Sequence, residues 1–296
     1  MAENLVLGTA QFGMPYGIAN KNGQPDQDMV TTIVHEAWER GIREFDTAQG
    51  YGTSEQVLGK ALLKFGLIED ARVVSKFNPK LDHLNINDMS NALNESLERV
   101  GVSYIYGMML HREEMLSLWD KGLSKILHDF VASGKIKNIG VSVYSPEKAI
   151  QALNTVGIDM VQLPTNILDR RFEEAGVFQL ADKKRKKIYI RSVFLKGLIL
   201  MDINEIPEKM FFVKPIIEKL ESLSRDLKLS RQELALRYIK TERPQAKVVI
   251  GVDTPKQIKE NIKGWNKQFN SSLAQKVKKL FNNVDERVVN PVLWPN

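Results

Sequence analysis

The amino-acid sequence predicts an α/β protein of the (β/α)8 TIM-barrel class, formed as a single domain by residues 1–296. Eight short segments rich in Val, Ile, Leu, Tyr and Phe alternate with helical segments along the whole chain. No Pro-, Gly- or Ser-rich linker interrupts this alternation. The length also suits a barrel, for which about 250 residues plus insertions are usual.

The predicted strands are nearly continuous apolar runs, as expected for parallel strands that are covered on both faces. They are Asn4 to Leu7, Ile42 to Asp46, Arg72 to Phe77, Tyr104 to Leu110, Ile136 to Val141, Met160 to Leu163, Ile188 to Arg191 and Lys247 to Ile250. A doubly wound open sheet is the alternative. The turn after the first strand, LGTAQFGMPYG, lacks the GxGxxG spacing typical of that fold, so the barrel is favoured.

Capping residues predict where the helices begin. The predicted starts are Asp26, Ser54, Asn87, Ser145 with Pro146, and Thr254 with Pro255. Residues 206–240 predict two helices with a break near residues 228–230, and a last helix is predicted at residues 273–281.

Composition excludes several classes of function. The chain has no Cys, which removes disulfides, thiolate metal sites and thiol nucleophiles, and no metal site is predicted. The net charge of +6 is spread over lysine-rich helices, a pattern typical of a solvated surface and not of a nucleic-acid interface. The start MAENLVLGTAQFG has no basic leader, and no apolar stretch approaches about 18 residues. A cytoplasmic protein without membrane contact is therefore expected.

Functional side chains of a barrel are expected at the carboxyl ends of its strands. Polar or small residues stand there after most predicted strands: Asp46, Lys76, His111, Ser142, Gln162, Arg191, Ser192 and Gly251. Each residue alone is more typical of a cap or a packing position. Asp46, Lys76 and His111 on three successive strands, with a tyrosine five residues beyond the aspartate, indicate one shared site.

At these residues the sequence resembles the aldo-keto reductase superfamily. The resemblance rests on GIREFDTAQGYGTSE (residues 41–55), VVSKF, MMLHR, IGVSVYS, VQLPTN and IGVDTPKQIKEN, and spans almost the whole chain. It implies a monomeric barrel that binds a nicotinamide dinucleotide and reduces an aldehyde or ketone, including a sugar carbonyl, to an alcohol. The implied catalytic residues are Asp46, Tyr51, Lys76 and His111.

This chemistry can be explained from the residues themselves. Hydride delivery to a carbonyl develops negative charge on oxygen, so a proton donor is needed there. A free tyrosine has a pKa of about 10. We expect Lys76 to lower the pKa of Tyr51 and Asp46 to hold Lys76 charged, while His111 donates a hydrogen bond to the substrate oxygen.

The resemblance also implies cofactor contacts. These would be Ser142 and Gln162, with Asn166, at the nicotinamide; Arg191, Ser192, Lys196 and Gly197 at the pyrophosphate; and Gly251, Gln257, Glu260 and Asn261 at the adenosine. The family favours NADP(H). NAD(H) stays open, because the turn GVDTPKQ offers Asp253 where NADP-specific relatives commonly carry Arg, Lys or Ser.

Apolar and aromatic residues are expected to wall the substrate pocket. The predicted walls are Phe12, Tyr16, Phe77, Trp119, Phe194 and Trp294, with residues 285–296 forming a tail near the pocket. Arg112, Arg170 and Arg171 are interpreted as solvated charges. Two other functions remain open: a Schiff-base lyase or aldolase that uses Lys76, and a non-catalytic protein that senses nicotinamide redox state.

Overall fold

The computed structural model describes residues 2–295, and its eight parallel strands close into a barrel in chain order. The strands are β1 (Leu5–Gly8), β2 (Glu44–Asp46), β3 (Arg72–Phe77), β4 (Gly107–Leu110), β5 (Ile139–Ser142), β6 (Met160–Pro164), β7 (Lys187–Arg191) and β8 (Lys247–Gly251). The last strand pairs with the first, with Leu5 opposite Val248 and Gly8 opposite Gly251. The predicted barrel is therefore confirmed, and the open sheet is wrong.

Helices connect and cover these strands. They are α1 (Ala10–Gly13), α2 (Gln27–Glu39), α3 (Ser54–Lys64), α4 (Ile86–Val100), α5 (Leu123–Ala132), α6 (Pro146–Asn154), α7 (Arg171–Glu174), α8 (Val177–Lys184), α9 (Lys214–Leu227), α10 (Arg231–Glu242), α11 (Pro255–Trp265), α12 (Ser271–Leu280) and α13 (Glu286–Val289). Short 3-10 segments lie at Glu113–Lys121, Leu195–Leu200, Ile203–Glu205 and Glu208–Val213. Within residues 2–295, no helix has both the length and the apolar character that crossing a membrane requires.

Two strands begin three residues later than predicted, β4 at Gly107 and β5 at Ile139. The apolar residues ahead of them, Ile105 and Ile136, meet only in one isolated parallel bridge. Both side chains are fully buried. These residues pack as core without entering the continuous ladder, and an apolar run by itself does not distinguish the two cases.

Helix starts follow the predicted capping chemistry with two corrections. Ser54 is the first residue of α3 and does not cap it, because its hydroxyl bonds with Thr9 and Thr47. Asp26, Ser145 and Thr254 accept backbone N–H groups at the starts of α2, α6 and α11. The start of α4 is capped by Asn85 and not by Asn87, because the Asn85 side chain accepts the N–H groups of the first turn. Two asparagines two residues apart offer the same cap, and only the structure decides between them.

The barrel interior is filled in layers, as is usual for this fold. At the amino ends of the strands, the Tyr189 hydroxyl donates to Glu44 over 2.8 Å. An apolar layer follows, formed by Val6, Val74, Met109, Met160 and Tyr189. Asp46, Lys76 and Gln162 form the polar layer at the carboxyl ends. The larger apolar core lies between the strands and the surrounding helices.

Candidate active site

A buried ion pair lies at the centre of the polar layer. Lys76 Nζ donates to Asp46 Oδ1 over 2.7 Å and to the Thr47 carbonyl oxygen over 2.9 Å. Gln162 Nε2 donates to the second oxygen of Asp46 over 2.6 Å. The side chains of Lys76 and Asp46 are only 1% and 6% exposed. Both oxygens of the carboxylate are thus satisfied, and the ammonium is held in one position.

Tyr51 and His111 lie next to this pair, on the turns that follow β2 and β4. Their rings meet edge to face, with centroids 5.5 Å apart and an interplanar angle of 83°. Lys76 Nζ lies 5.1 Å from the centroid of the Tyr51 ring. The four side chains expected to act together are therefore assembled at one end of the barrel.

The pKa of Tyr51 is raised in the free protein, whereas a lowered pKa was expected. Burial and the charge of Asp46 raise the pKa of Tyr51, and the Arg191 guanidinium acts in the opposite direction. Among residues 2–295, Lys76 Nζ donates to Asp46 and Thr47, and no hydrogen bond joins it to the Tyr51 hydroxyl. The raised pKa keeps Tyr51 protonated at neutral pH in the free protein, and the expected lowering by Lys76 stays a prediction.

His111 is a neutral imidazole. Burial lowers its pKa to about 3, and the cations Lys76, Arg191 and Arg112 act in the same direction. Its Nδ1 atom is buried without a hydrogen-bond partner within the described part of the chain. A neutral imidazole keeps one N–H donor, so His111, which lies beside Tyr51, can donate a hydrogen bond to a substrate oxygen.

The depressed pKa of His111 predicts a loss of stability in acid. The unfolded chain, with a pKa of about 6.5, binds the proton before the folded chain does, so stability falls as the pH drops below 6.5. Between pH 6.5 and 4.5, His111 is expected to cost the wild type about 1–2 kcal/mol after allowance for its partial exposure. Urea unfolding of wild type and His111→Asn at both pH values measures this. Equal losses in the two proteins would contradict the prediction.

The turn that carries Tyr51 is held by direct backbone contact with the first loop. Gly52 has a φ of +55°, and a Cβ there would lie 2.2 Å from the Gly13 carbonyl oxygen. A Cβ on Gly13 would lie 1.8 Å from the carbonyl oxygen of Tyr51. The Ser54 hydroxyl adds a hydrogen bond with Thr9 Oγ1 over 2.7 Å. The position of the tyrosine is therefore set by the loop after β1.

A cavity of about 650 Å³ opens beside the polar layer. It is lined by many of the residues predicted for catalysis, cofactor or substrate: Asp46, Tyr51, Gln162, Arg191, Ser192, Lys196, Gly197, Gly251, Gln257, Glu260, Asn261, Tyr16 and Phe194. The loops after β1, β7 and β8 thus converge on one space, together with the α9–α10 region.

The loop after β7 has unusual backbone geometry. Ser192, Leu195 and Lys196 have φ angles of +62°, +50° and +53°. Such angles are uncommon outside glycine and cluster at ligand-binding loops. Burial and the Arg191 charge lower the pKa of Lys196. The carbonyl oxygen of Lys196 accepts the N–H of Ile18 over 3.0 Å, so the first loop packs on this segment.

Sequence reasoning missed several lining residues, among them Gln11 and Arg231. A Cβ at Gly251 would lie 2.7 Å from Gln11 Oε1, so the glycine makes room for this glutamine. Arg231 pairs with Glu221 over 3.0 Å and keeps a buried Nη1 atom without a hydrogen-bond partner. The position of Gln11 at the rim could have been predicted, because LGTAQFG places it directly after the first strand. Arg231 opens α10 and reaches the cavity only through packing.

Three predicted pocket walls lie in the core instead. Phe77 follows Lys76 on β3, and because side chains alternate along a strand it points outward, towards Phe130 of α5. Phe12 is fully buried and does not line the cavity. Trp119 is buried and packs edge to face against His128, with ring centroids 6.1 Å apart.

Several other predicted residues, among them Lys76 and His111, do not line the cavity. Ser142 ends β5, is buried and stands opposite Gln162 in the ladder. The Asn166 side chain stabilises its own turn, accepting the N–H groups of Leu168 and Asp169. The Trp294 indole donates to the Arg287 carbonyl oxygen over 3.0 Å. No residue from 285 to 295 lines the cavity, and Asn296 lies outside the described residues.

The cavity has the chemistry to hold a dinucleotide. It combines the loop at Lys196 with two buried polar atoms that have no partner within residues 2–295, Arg231 Nη1 and Asp253 Oδ1. Unpartnered buried atoms are rare and indicate a ligand that would satisfy them. Tyr51, the buried Lys76–Asp46 pair and this cavity together form the candidate active site.

Comparison with known proteins establishes the family. The profile of the aldo/keto reductase family matches residues 4–282, so the chain belongs to that family. Its members are oxidoreductases that use nicotinamide cofactors.

Individual relatives are distant. An NADH-specific methylglyoxal reductase of Escherichia coli strain K12 is 25% identical over 279 residues, covering 83% of this chain and 85% of the relative. An L-glyceraldehyde 3-phosphate reductase of that strain is 23% identical over 300 residues, covering 89% and 86%. The structure of an aldo-keto reductase from Bacillus halodurans superposes with a TM-score of 0.79 at 23% identity, covering 96% of this chain and 94% of that one. This last likeness concerns the fold.

Proposed function

We propose that the protein reduces an aldehyde or ketone, including a sugar carbonyl, to an alcohol with a nicotinamide dinucleotide, and that Tyr51 is the general acid. The observation that carries this proposal is the assembly of Tyr51, His111 and the Lys76–Asp46 pair at the rim beside the cavity. The names of the relatives support small aldehydes as the substrate class.

Each residue has a role that its environment supports. The bound dinucleotide supplies hydride to the carbonyl carbon. Tyr51 holds its proton in the free protein and delivers it to the carbonyl oxygen as negative charge develops there. Neutral His111 offers a hydrogen bond to the same oxygen. The Lys76 ammonium, fixed by Asp46, presents a positive charge at the Tyr51 ring and stabilises the phenolate left after transfer.

Cofactor contacts follow from the lining of the cavity. Lys196, Gly197 and Arg231 would hold the pyrophosphate, and Gln162 with the neighbouring Ser142 would hold the nicotinamide amide. The adenosine would lie at the Gly251 turn, with Gln257, Glu260 and Asn261. For Arg231, the unpartnered buried Nη1 supplies the donor that an anionic oxygen needs.

The family resemblance favours NADP(H), but the charges at this end of the cavity favour NAD(H), and we propose NAD(H) as the preferred cofactor. Asp253 is half-buried and its Oδ1 has no hydrogen-bond partner within residues 2–295. A ribose hydroxyl would supply the donor that this oxygen lacks, whereas a 2′-phosphate would repel it. The NADH-specific relative supports the same preference.

The Schiff-base alternative is disfavoured by the state of Lys76. A lysine that forms a Schiff base must be a neutral, accessible amine. Lys76 is 1% exposed and bound to a carboxylate. The sensor alternative has no specific observation in its favour. The monomeric state and the cytoplasmic location remain predictions, and light scattering after size-exclusion chromatography measures the first.

A titration followed by a substrate panel tests the proposed function. NADH and NADPH binding is measured by fluorescence or calorimetry, and a panel of aldehydes, ketones and sugars is then followed by loss of reduced-cofactor absorbance. Turnover of a carbonyl, with tighter binding of NADH, supports the proposal. Tight dinucleotide binding without turnover of any panel member would favour the sensor, and a borohydride-trapped adduct on Lys76 would favour the aldolase.

The cofactor preference has its own prediction. Asp253→Arg is expected to shift the ratio of NADPH to NADH dissociation constants by at least about fivefold in favour of NADPH, because repulsion of the phosphate becomes attraction. Salt should reduce the gain over a Debye length of about 10 Å at 0.1 M. Asp70→Arg makes the same charge change at an exposed site outside the cavity and serves as the control. A ratio that moves equally in both variants would place Asp253 away from the ribose.

A further inference from the structure

The cavity contains an arginine whose charge is not neutralised by any carboxylate of the described chain. Arg191 ends β7, is half-buried and lines the cavity together with Tyr51. Among residues 2–295 it forms no ion pair. Its recorded hydrogen bonds are from Nη1 to Ser192 Oγ over 3.3 Å and from Nη2 to the Val143 carbonyl oxygen over 3.1 Å. Both acceptors are neutral.

None of the acidic groups that line the cavity forms an ion pair with Arg191. Asp46 is bound by Lys76 and Gln162, and Glu221 is paired with Arg231. The remaining lining acids, Asp253 and Glu260, belong to the turn and helix after β8. The β7 side of the cavity therefore carries a positive charge that the protein itself leaves uncompensated, which indicates a ligand of opposite charge.

The guanidinium is directed towards the catalytic residues. It reaches past β6 to the end of β5, where its Cζ lies 4.3 Å from the ring centroid of Tyr144. Burial raises the pKa of Tyr51 and lowers that of His111, and the smaller effect of the Arg191 charge lowers both pKa values. The group thus lies at the end of the cavity where the carbonyl would react.

The arginine is also held in place. The Tyr144 N–H donates to Glu113 over 2.6 Å, and the Ser145 N–H donates to the same carboxylate over 3.1 Å. This fixes the ring on which the guanidinium stacks. A guanidinium has five N–H donors, and the two hydrogen bonds described above use two of them. Three donors remain for a ligand, enough for a bidentate contact with a carboxylate or phosphate.

We infer that Arg191 selects carbonyl substrates that carry an anionic group, a carboxylate or a phosphate, and binds that group while the carbonyl lies at Tyr51. This rests on the proposed reduction and names its substrate class. No sequence pattern indicated it, because the resemblance assigned Arg191 to the cofactor pyrophosphate. The other arginines considered for an acidic substrate do not compete, since Arg170 and Arg171 are ion-paired and Arg112 is exposed outside the cavity.

The pyrophosphate is the other source of negative charge that this arginine would meet. Against that assignment stands the position of the guanidinium at Val143 and Tyr144, next to Ser142, which the resemblance assigns to the nicotinamide. Lys196, in the loop beyond, is the cation better placed for the pyrophosphate. If Arg191 binds the substrate anion and Lys196 the pyrophosphate, replacing Arg191 lowers substrate selectivity and replacing Lys196 lowers dinucleotide affinity.

Matched substrate pairs test the inference. The pairs are 4-oxobutanoate with butanal, and glyceraldehyde 3-phosphate with glyceraldehyde. Selectivity is the ratio of kcat/KM for the anionic member to that for the neutral member. We expect wild type to prefer at least one anionic member by about tenfold or more, and Arg191→Gln to lower that selectivity at least about tenfold, mainly through KM. The pair that responds distinguishes carboxylate from phosphate.

Two further variants complete the design. Arg112→Gln removes the same charge beside His111 at an exposed position outside the cavity, and its selectivity should stay within about twofold of wild type. Lys196→Gln should weaken dinucleotide binding without changing selectivity. Loss of dinucleotide affinity in Arg191→Gln with unchanged selectivity would overturn the inference and assign Arg191 to the pyrophosphate.

A binding measurement separates this inference from the proposed reaction. Succinate binding is measured by calorimetry with the dinucleotide present. If succinate binds to wild type but not to Arg191→Gln, and the protein reduces no carbonyl, the anion site is supported and the proposed reaction is overturned. If the protein reduces neutral carbonyls and shows no preference for anionic substrates that depends on Arg191, the proposed reaction is supported and the anion site is overturned.

Discussion

Replacing Tyr51 by Phe is expected to lower kcat for carbonyl reduction by about 10²- to 10⁴-fold while the dissociation constant of the dinucleotide stays near that of wild type. The phenol proton is needed only as charge develops on the substrate oxygen, so its loss affects the transition state and not cofactor binding. Steady-state kinetics and fluorescence titration of the same preparations measure the two quantities.

A conservative control accompanies this variant. Tyr144→Phe removes a hydroxyl from a second tyrosine near the cavity, one that supports Arg191 through its ring. It should retain most of kcat, because the ring face and not the hydroxyl makes that contact. If Tyr51→Phe kept more than about a tenth of wild-type kcat, Tyr51 would not be the general acid.

Asp46→Asn is expected to lower the free energy of unfolding by about 3–5 kcal/mol at neutral pH. The substitution leaves the Lys76 ammonium, whose side chain is 1% exposed, without its counterion. Adding Lys76→Met should recover part of the lost free energy of unfolding, because it removes the buried ammonium that has no counterion. Urea unfolding at pH 7 gives the three free energies.

An exposed ion pair provides the matched comparison. Lys125 and Asp129 are 2.7 Å apart on α5, with side chains 81% and 54% exposed. Asp129→Asn should cost less than about 1 kcal/mol, because solvent already screens that pair. Similar losses for the two aspartates would mean that burial of the Asp46 pair contributes little, which would contradict the argument.

Much of the fold could be predicted from local pattern. All eight strands were identified, because each is a short apolar run between helical segments. Their exact starts could not be predicted. Ile105 and Ile136 are apolar and buried, yet they touch the ladder at one bridge only, and that outcome depends on how neighbouring strands end.

The candidate site was partly predictable for a similar reason. Residues at strand ends, such as Lys76 and Gln162, are directed by the barrel itself, so their convergence follows from the fold. Side-chain direction was the weak step. Phe77 was expected in the pocket although it alternates with Lys76 and therefore faces the helices. The environment of Tyr51 could not be predicted from the sequence either, because its pKa depends on burial and on the charges of Asp46 and Arg191 nearby.

The glycine contact between the first loop and the Tyr51 turn has a consequence for engineering this barrel. Because the backbones of Gly13 and Gly52 are in contact, a substitution that adds a side chain at either position would displace Tyr51. The segment from Ile203 to Val213 makes no hydrogen bond to that turn within residues 2–295. Residues 203–213, none of which lines the cavity, can therefore be exchanged without moving Tyr51, whereas the first loop has to be kept intact together with the Tyr51 turn.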